Sequence, residues 1–473
     1  MFKQHPRGLY VLFFTEMWER FSYYGMRAIL ALYMIKALIY DTAFTSSIYG
    51  YYTGLVYLTP LLGGYIADKY WGNRRSIIIG AIMMAIGQFA LAFSGFLYTP
   101  GSDASTPISS FIFNPQQLAF IFGLVVLIIG NGFFKPNIST MVGSLYPEGD
   151  KRRDSAFTIF YMGINLGALL APFVAGGLGD TGNPGDFKYG FLAAGIGMLL
   201  GLVQFYMGKN KYLVTPDGKP VGMPPEKKSK TDKHKDEHPP LTKIEKERIA
   251  VIFILAFFVI FFWAAFEQAG VSLTFFADGM TDRVVGFLDN WEIPASWFQS
   301  INPIAIVIFA PLFAAIWTKL GNKGREPSSP LKMALGLFLL SLGFLVLIPA
   351  ASQVDAGMKV SPLWLVAAYS LHTFGELSLS PIGLSMVTKL SPVRFGSLLM
   401  GTWFLANAAA NWLAGQLSTL YPDPTKTDYS SLFGFVINDF TSFFTIFIVM
   451  SLSASLILFF LHKLLIKMMH GVK

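Results

Sequence analysis

Twelve stretches of mostly apolar residues recur along this chain. Each is long enough to cross the ~30 Å hydrocarbon core of a bilayer as a helix. Only 14% of the residues are charged, against about 25% in soluble domains, so the sequence predicts an all-α integral membrane protein with twelve transmembrane helices. We expect no cleavable signal peptide, because the first stretch is too long and lacks a small-residue cleavage site. The stretches lie near 9–37, 46–68, 75–98, 115–145, 153–178, 187–208, 248–277, 295–320, 331–351, 361–390, 395–420 and 437–468.

Positive residues concentrate in the connections that follow the even-numbered stretches. These connections hold Lys69, Arg74 and Arg75, then Arg152 and Arg153, the Lys-rich stretch 209–248, then Lys319, Lys323 and Arg325, and finally Lys389 and Arg394. The opposite connections carry few. This bias predicts a multi-pass protein of the cell membrane with both termini in the cytoplasm. The net charge of +8 therefore reports topology, and we expect no nucleic-acid partner.

The hydrophobicity collapses between Gly208 and Arg248, where the run KKSKTDKHKDEHPP is typical of a cytoplasmic linker. The linker divides the chain into a six-helix bundle at 1–208, the linker at 209–247, and a second six-helix bundle at 248–473. The runs PNISTMVGSLYP from Pro136 and PIGLSMVTKLSP from Pro381 align, which indicates a duplication. Two such halves commonly enclose a site near the midplane of a secondary transporter.

Charged residues interrupt the first apolar stretch. Spacings of three and four place them on one helix face with two tyrosines: Glu16, Glu19, Arg20, Tyr23, Tyr24 and Arg27. Ionisable groups at bilayer depth are costly and mark a functional site by default. The stripe therefore predicts movement of a polar solute across the membrane, although a structural ion pair between Glu16 and Arg20 is the competing interpretation.

A second set of charges lies at matching places in the two halves. Lys135 directly precedes Pro136, and Glu376 precedes Pro381 by five residues, while Glu267 lies in the seventh stretch. The buried set then amounts to a formal +1 in the first half and −2 in the second, which suits a zwitterion. Lys135 could instead cap a kink at Pro136. Four more residues are expected to shape the pocket: Tyr57, Asn165, Asn302 and Trp403.

The residues also resemble a family. The run Glu16-Met-Trp-Glu19-Arg20-Phe21-Ser-Tyr23-Tyr24-Gly25 resembles the first signature of proton-dependent oligopeptide transporters, in the major facilitator superfamily. Phe160-Tyr161-Met-Gly-Ile164-Asn165-Leu-Gly167 resembles the second. Asp68, Arg74 and Arg75 belong to a run that resembles the superfamily's loop motif after the second helix, and we interpret them as a gate or topology signal.

This resemblance implies the major facilitator fold and proton-driven uptake of di- and tripeptides. It implies that Arg27 and Lys135 bind the peptide carboxylate, and that Glu376, Asn165 and Asn302 surround the amino terminus. It also implies that Glu16, Glu19 and Glu267 take part in proton coupling. The second stretch reads Ile48-Tyr49-Gly50-Tyr51 where animal members carry a histidine, so carboxylates must carry the proton. Plant relatives with a similar first signature transport nitrate or hormones, so a carrier of nitrate or another small anion is the alternative.

A coupling mechanism follows from the charges alone. In a low-dielectric cavity, protonation of a carboxylate frees the cation that it had paired with. Protonation of Glu16 or Glu19 would thus release Arg20 or Lys135 for a substrate carboxylate.

Other classes of protein fit less well. We find no repeated pore loop for a channel and no phosphate-binding glycine loop. The HKDEH run at His234 and His238 lies in the charged linker, where a solvated charge run is the better interpretation. His372 could carry a proton, but a packing role is favoured. The absence of cysteine excludes thiolate metal sites. We therefore expect no enzyme, metal or cofactor, and a protein that works as a monomer driven by protons.

Overall fold

A computed structural model of the chain describes residues 5–101, 114–147, 150, 152–215, 217–225, 240–286, 289–423 and 430–472. The charged linker run at 226–239, with His234 and His238, lies outside the described residues. The fold is all-α apart from two short hairpins, which confirms the predicted class.

Long helices account for most of the described chain. Their bounds are α1 (Arg7–Lys36), α2 (Thr42–Ile66), α3 (Gly72–Phe96), α4 (Pro115–Ser144), α5 (Arg152–Ala171), α6 (Gly177–Gly179), α7 (Phe187–Tyr212), α8 (Lys243–Phe266), α9 (Ser272–Gly279), α10 (Ile301–Asn322), α11 (Ser329–Asp355), α12 (Leu363–Leu390), α13 (Gly396–Ser418) and α14 (Phe440–Met468). The short α6 continues α5 through a π-helical turn at Pro172–Gly176, and α9 continues α8 through a 3-10 turn at Glu267–Gly270. Counted this way, the described residues form six long helices before the linker and six after it.

Most of these helices are apolar enough to cross a bilayer. Eight continuous helical stretches of the described chain meet that standard of length and hydropathy, and one of them, Thr42–Phe96, contains both α2 and α3. The helix α1 is not among the eight, because its middle carries the charged stripe. A spanning helix with four buried charges must satisfy them inside the protein, so α1 is the first place to look for a site.

Local sequence sets several helix ends. The helix α8 begins at Lys243, five residues before the predicted boundary, because Thr242 and Glu245 form a capping box at its start. The helix α7 runs on to Tyr212, four residues past the predicted end of the first half. The linker between helices is thus 213–242.

Two β-hairpins lie in loops between helices of the second half. Strands β1 (Val284–Val285) and β2 (Trp291–Glu292) pair antiparallel between α9 and α10, with Val284 opposite Glu292. Strands β3 (Ser430–Leu432) and β4 (Phe435–Ile437) pair between α13 and α14.

The start of α1, the start of α8 and the end of α14 lie at one end of the helix bundle, which we call the terminal end. The final residues of α14 and the start of α8 meet there, where Nε2 of His470 lies 2.5 Å from Oε2 of Glu247. The opposite end, with the two hairpins, is the far end. Within the first half α3 packs on α4 and α1 packs on α5 and α7, while in the second half α11 packs on α12 and α14.

The two halves meet closely where α2 packs on α13. Glycines make this approach possible. A Cβ atom added at Gly50 would lie 2.7 Å from the Cα of Gly415, closer than real Cβ atoms come to other atoms. The hydroxyl of Ser46 donates a hydrogen bond of 3.2 Å to the carbonyl of Ser418 nearby. The backbones of the two halves are therefore in direct contact on this side of the molecule.

Candidate functional site

A central cavity of about 210 Å³ lies between the two halves, with walls from α1, α2, α5, α8, α10 and α12. The structure brings together in its lining seven of the side chains that the sequence predicted, from both halves: Tyr24, Arg27, Tyr57, Asn165, Glu267, Asn302 and Glu376. Cationic, anionic, amide and phenolic groups thus converge on one enclosed space.

Arg27 and Glu267 form an ion pair across this cavity. Arg27 lies on α1 of the first half and Glu267 lies in the turn after α8 of the second half, and both side chains are buried. The Nε of Arg27 also donates a hydrogen bond of 2.5 Å to the hydroxyl of Tyr49 on α2. The guanidinium is therefore held by one group from each half, and its charge is neutralised by Glu267.

Glu376 faces the cavity from α12. Its Oε2 accepts a hydrogen bond of 2.7 Å from the amide of Asn302 on α10, and the same amide also donates to Thr373 over 3.0 Å. None of the ion pairs among the described residues includes Glu376. The carboxyl group is thus oriented by a neutral donor, which leaves its charge open to a cationic ligand.

The charged stripe of α1 gathers one cation between two acids. Nε of Arg20 lies 3.0 Å from Oε1 of Glu16 and 2.5 Å from Oε2 of Glu19. Neither approach is aligned as a hydrogen bond, and the second oxygen of Glu16 is buried without a hydrogen-bond partner in the part of the chain that the structure describes. Asn131 of α4 donates a long hydrogen bond of 3.4 Å to the other oxygen of Glu19. With both acids ionised the triad carries one net negative charge in a buried place, and one proton would neutralise it.

Lys135 lies one aromatic ring away from the central cavity. Its ammonium is 4.0 Å from the centre of the Tyr57 ring, within the range of a cation–π contact, and Tyr57 itself lines the cavity. The triad of Glu16, Glu19 and Arg20 also lies outside the lining.

Two of the predicted pocket aromatics are packed away from the lining as well. Tyr23 is 3% exposed, and its hydroxyl finds no partner among the described residues. Trp403 is 5% exposed and its ring packs on Gly383 of α12. Tyr23 lies on α1, which lines the cavity, whereas Trp403 lies on α13, which does not, and neither ring reaches the lining.

The loop-motif residues lie at the terminal end of the first half. Arg74 donates hydrogen bonds to the carbonyl oxygens of Leu213 and Val221 in the linker. The guanidinium of Arg75 lies 5.5 Å from the ring centre of Trp71, and Asp68 is exposed. In this structure Arg74 therefore joins α3 to the linker.

Sequence reasoning missed several residues that line the cavity or hold its charges. Tyr49 holds Arg27, and the lining also contains Tyr161, Trp263, Phe266, Tyr369 and His372. Helical spacing could have found some of them. Trp263 precedes Glu267 by four residues, and His372 precedes Glu376 by four, so each pair shares a helix face. His372 packs its ring 4.6 Å from that of Phe344, and both of its nitrogens are buried without a partner among the described residues.

Polar contacts between the halves close the far end of the cavity. Nζ of Lys36 on α1 lies 2.6 Å from Oδ1 of Asp278 on α9. Asp180, after α6, accepts hydrogen bonds of 3.2 Å from the backbone and hydroxyl of Ser296. Burial raises the pKa of the Asp180 carboxyl above its ordinary value of 3.8, and the nearby charge of Lys36 opposes that shift. These contacts therefore hold the two halves together at the far end.

Two helical halves around an enclosed, charged cavity are the architecture of a secondary transporter. The POT family model matches residues 74–229 and 237–436, and the chain belongs to this family.

Relatives of this family are similar over nearly the whole chain. The peptide transporter YePEPT of Yersinia enterocolitica is 36% identical over 87% of both chains, and a di-/tripeptide transporter of Lactococcus lactis is 31% identical over 91% of this chain and 93% of its own. The crystal structure of the peptide transporter POT in complex with sulfate matches with a TM-score of 0.83 at 34% identity, covering 100% of this chain and 97% of that one. These matches confirm the family and the major facilitator fold that the sequence predicted. The protein is therefore a multi-pass membrane transporter.

Proposed function

We propose that this protein imports di- and tripeptides together with protons, by alternating access across the cell membrane. The relatives that are named as peptide and di-/tripeptide transporters support the substrate class. So does a POT family structure in complex with a thioalcohol conjugated peptide, which matches with a TM-score of 0.81 at 31% identity. The proton gradient is the energy source, and no cofactor is needed.

The observation that carries the proposal is the placement of Arg27 and Glu376 in one cavity, on opposite halves. A peptide is a zwitterion, so its carboxylate would bind toward Arg27 and its ammonium toward Glu376. Asn165 and Asn302 would add hydrogen bonds at the amino terminus. Charge-assisted hydrogen bonds of this kind are about twice as strong as neutral ones. The cavity volume of about 210 Å³ lies below the range of about 300–1,000 Å³ of sites for drug-sized ligands, which favours small substrates.

Coupling follows from the ion pair. While Glu267 is ionised, its carboxylate is paired with Arg27, and a substrate carboxylate has to compete with Glu267 for the guanidinium. A proton on Glu267 removes that competition and frees Arg27 for the substrate. The triad of Glu16, Glu19 and Arg20 supplies a second place for a proton, with Lys135 close to the cavity through Tyr57. Each proton that enters with the field gains about 2.3 kcal/mol per 100 mV of membrane potential.

The direction of transport follows from the ends of the bundle. Lys69, Arg74, Arg75 and Arg394 belong to connections at the terminal end, so we assign that end to the cytoplasm. The far end then faces the outside, and contacts between the two halves close it in this structure. The cavity is built from one chain, so a monomer suffices.

The experiment is uptake of labelled dialanine into proteoliposomes with an imposed inward proton gradient and membrane potential. We expect accumulation above equilibrium that collapses with a protonophore and is lost in Glu376→Gln and in Lys135→Ala. The matched control is Glu326→Gln, since Glu326 is an acid of the second half that pairs with Lys332 away from the cavity.

Binding of a modified peptide tests the orientation of the substrate. N-acetyl dialanine lacks the ammonium, so in calorimetric titration it should bind the Glu376→Gln protein as tightly as it binds wild type. Uptake of nitrate but not of dialanine by the folded protein would contradict the peptide assignment and support a small-anion carrier.

A further inference from the structure

A second cavity, of about 460 Å³, lies at the terminal end of the first half. It opens between the start of α3, the end of α7 and the first residues of the linker, and it shares no lining residue with the central cavity. We call it the linker cavity. Nothing in the transport mechanism uses it.

Several hydrogen bonds fix the linker part of the wall of this cavity to α3. A β-bridge joins Val214 to Pro220 in the first part of the linker. The side chain of Arg74, which is 9% exposed, donates hydrogen bonds to the carbonyl oxygens of Leu213 and Val221 and to the amide oxygen of Asn210. The backbone of Arg74 also donates 3.0 Å to the carbonyl of Gly222. One buried arginine thus fixes both sides of this β-bridge to α3.

Gly72 allows the linker to pack closely on the start of α3. Its φ is +71°, in the left-handed region that favours glycine. A Cβ atom at this position would lie 2.5 Å from the carbonyl carbon of Met223 and from the nitrogen of Pro224. The linker backbone therefore packs directly on the start of α3.

The lining of the linker cavity is cationic and carries no acidic side chain among the described residues. Its cations are Arg74, Arg75 and Lys209. The side chain of Arg74 donates hydrogen bonds to the linker and to Asn210 of α7. Arg75 is exposed and lies over the ring of Trp71, and Nζ of Lys209 lies 3.9 Å from the ring centre of Tyr206. Neither Arg75 nor Lys209 is in an ion pair among the described residues, so both can bind an anion.

The same lining also has an apolar part. Ile78 and Ile79 follow Arg75 on α3, and Met223 contributes from the linker. Exposed aromatic side chains flank the cavity, with Tyr70 58% and Tyr206 60% exposed. Tyrosine and tryptophan favour the depth of the lipid headgroups, so this cavity lies at the interface between the bilayer and the cytoplasm. A ligand there would meet cations at its polar end and aliphatic side chains at its other end.

We propose that the linker cavity binds an anionic phospholipid, with its phosphate at Arg75 and Lys209 and the start of an acyl chain along Ile78 and Ile79. A free phosphate ion could bind the same two cations, but it would make no apolar contact with Ile78 and Ile79. Guanidinium and ammonium groups both bind phosphate, and basic pockets on the cytoplasmic side of membrane proteins bind lipid headgroups. A lipid held here would contact α3, α7 and the linker together, and so would strengthen the attachment of the linker to the first half.

The test uses the purified full chain in an uncharged detergent, with lipid binding counted by native mass spectrometry. The probes are phosphatidylglycerol and phosphatidylcholine with the same acyl chains. The variant Arg75→Gln/Lys209→Gln removes the two free cations and leaves Arg74 in place. The matched control is Lys319→Gln/Lys323→Gln, which removes two exposed cations of the terminal end in the second half. Thermal unfolding without added lipid verifies that each variant is folded.

We expect phosphatidylglycerol to bind at least tenfold more tightly than phosphatidylcholine to wild type, and this preference to be lost in the first variant and kept in the control. Phosphatidylglycerol should also raise the unfolding temperature of wild type and not that of the first variant. Equal binding of the two lipids, or full phosphatidylglycerol binding by the first variant, would overturn the proposal. Displacement of the lipid by an equal concentration of inorganic phosphate would overturn the assignment to a lipid and leave a phosphate site.

Discussion

Arg27 and Glu267 are 240 residues apart in the chain and belong to different halves, yet their buried side chains form an ion pair in the central cavity. Removing one partner of such a pair leaves an uncompensated buried charge, at a cost of about 3–5 kcal/mol. The link between the halves at this place therefore depends on the charge of Glu267. A proton there both frees Arg27 and weakens the connection.

Glu267→Gln mimics the protonated state permanently. We expect the variant to bind dialanine at least as tightly as wild type, because Arg27 is free for the carboxylate. Proton-driven accumulation should fall at least tenfold, because the glutamine cannot lose a proton and form the ion pair with Arg27 again. Calorimetric titration measures the binding, and uptake into proteoliposomes measures the accumulation.

Glu292→Gln is the matched control, since Glu292 pairs with Arg283 at the far end and is 51% exposed on its side chain. Its accumulation should stay within about twofold of wild type, because Arg283 keeps its second partner, Asp278, when Glu292 is neutralised. Accumulation by Glu267→Gln at the wild-type level would contradict the coupling role of this carboxylate.

The sequence was most informative where spacing along one helix decides the result. The stripe of α1 could be predicted, since helical geometry alone places Glu16, Arg20 and Arg27 on one face. Which neighbour each charge pairs with could not be predicted in the same way. Arg27 finds Glu267 and Tyr49 on other helices, and no local pattern encodes such long-range pairs.

Pocket lining was harder to predict than helix faces. Tyr23 lies on a helix that lines the cavity but has its ring packed away from the lining, and Trp403 lies on α13, which does not line the cavity. Tyr369 and His372 line it and were not proposed for it. Small rotations of a helix and the choice of rotamer decide between these outcomes. Both depend on packing against other helices, which a hydrophobicity pattern does not specify.

The triad of Glu16, Glu19 and Arg20 predicts opposite effects for two substitutions. Glu19→Gln leaves one carboxylate for the guanidinium of Arg20, so the net charge of the triad falls to zero and the unfolding temperature should not decrease. Arg20→Gln leaves two buried acids without the guanidinium that lies beside both of them, so we expect destabilisation of about 3–5 kcal/mol. Thermal unfolding in detergent distinguishes the two.

Transport is the second measurement on the triad. If Glu19 takes part in coupling, Glu19→Gln should lose at least tenfold in proton-driven uptake of dialanine while remaining folded. Full uptake by this variant would show that the triad holds helices together and does not carry a proton.

The contact between α2 and α13 predicts a position-specific effect of a single methyl group. Gly50→Ala puts a Cβ 2.7 Å from the Cα of Gly415, so the halves cannot close fully at this place. Gly64→Ala, on the same helix, makes only ordinary contacts, the nearest at 3.6 Å. We expect uptake to fall at least fivefold in the first variant and to stay near wild type in the second.

Distances between the halves test the cause of that loss. The chain contains no cysteine, so Thr99→Cys and Val284→Cys allow spin labels at the far end of each half without background. In Gly50→Ala the distance distribution should shift to longer values. A distribution equal to that of wild type would show that the contact does not limit closure.

Asp180 makes closure of the far end depend on pH. It lies beyond the membrane-spanning part of its helix, and burial raises the pKa of its carboxyl in the closed state above the ordinary 3.8. Below 3.8 the group is protonated in both the open and the closed states, and its contribution to closure is fully present. As the pH rises, the exposed carboxyl of the open state ionises first, so the free energy that favours closure decreases until the pH has passed the raised pKa.

The same pair of spin labels, measured at about pH 4 and about pH 7, should show a smaller closed fraction at the higher pH. Asp180→Asn should remove most of that difference, whereas Asp186→Asn, whose carboxyl bonds only Thr181 and Asn183 of its own loop, should keep it. A closed fraction that grows with pH, or an Asp180→Asn protein that follows wild type, would show that the latch of Lys36, Asp278 and Asp180 is governed by other groups.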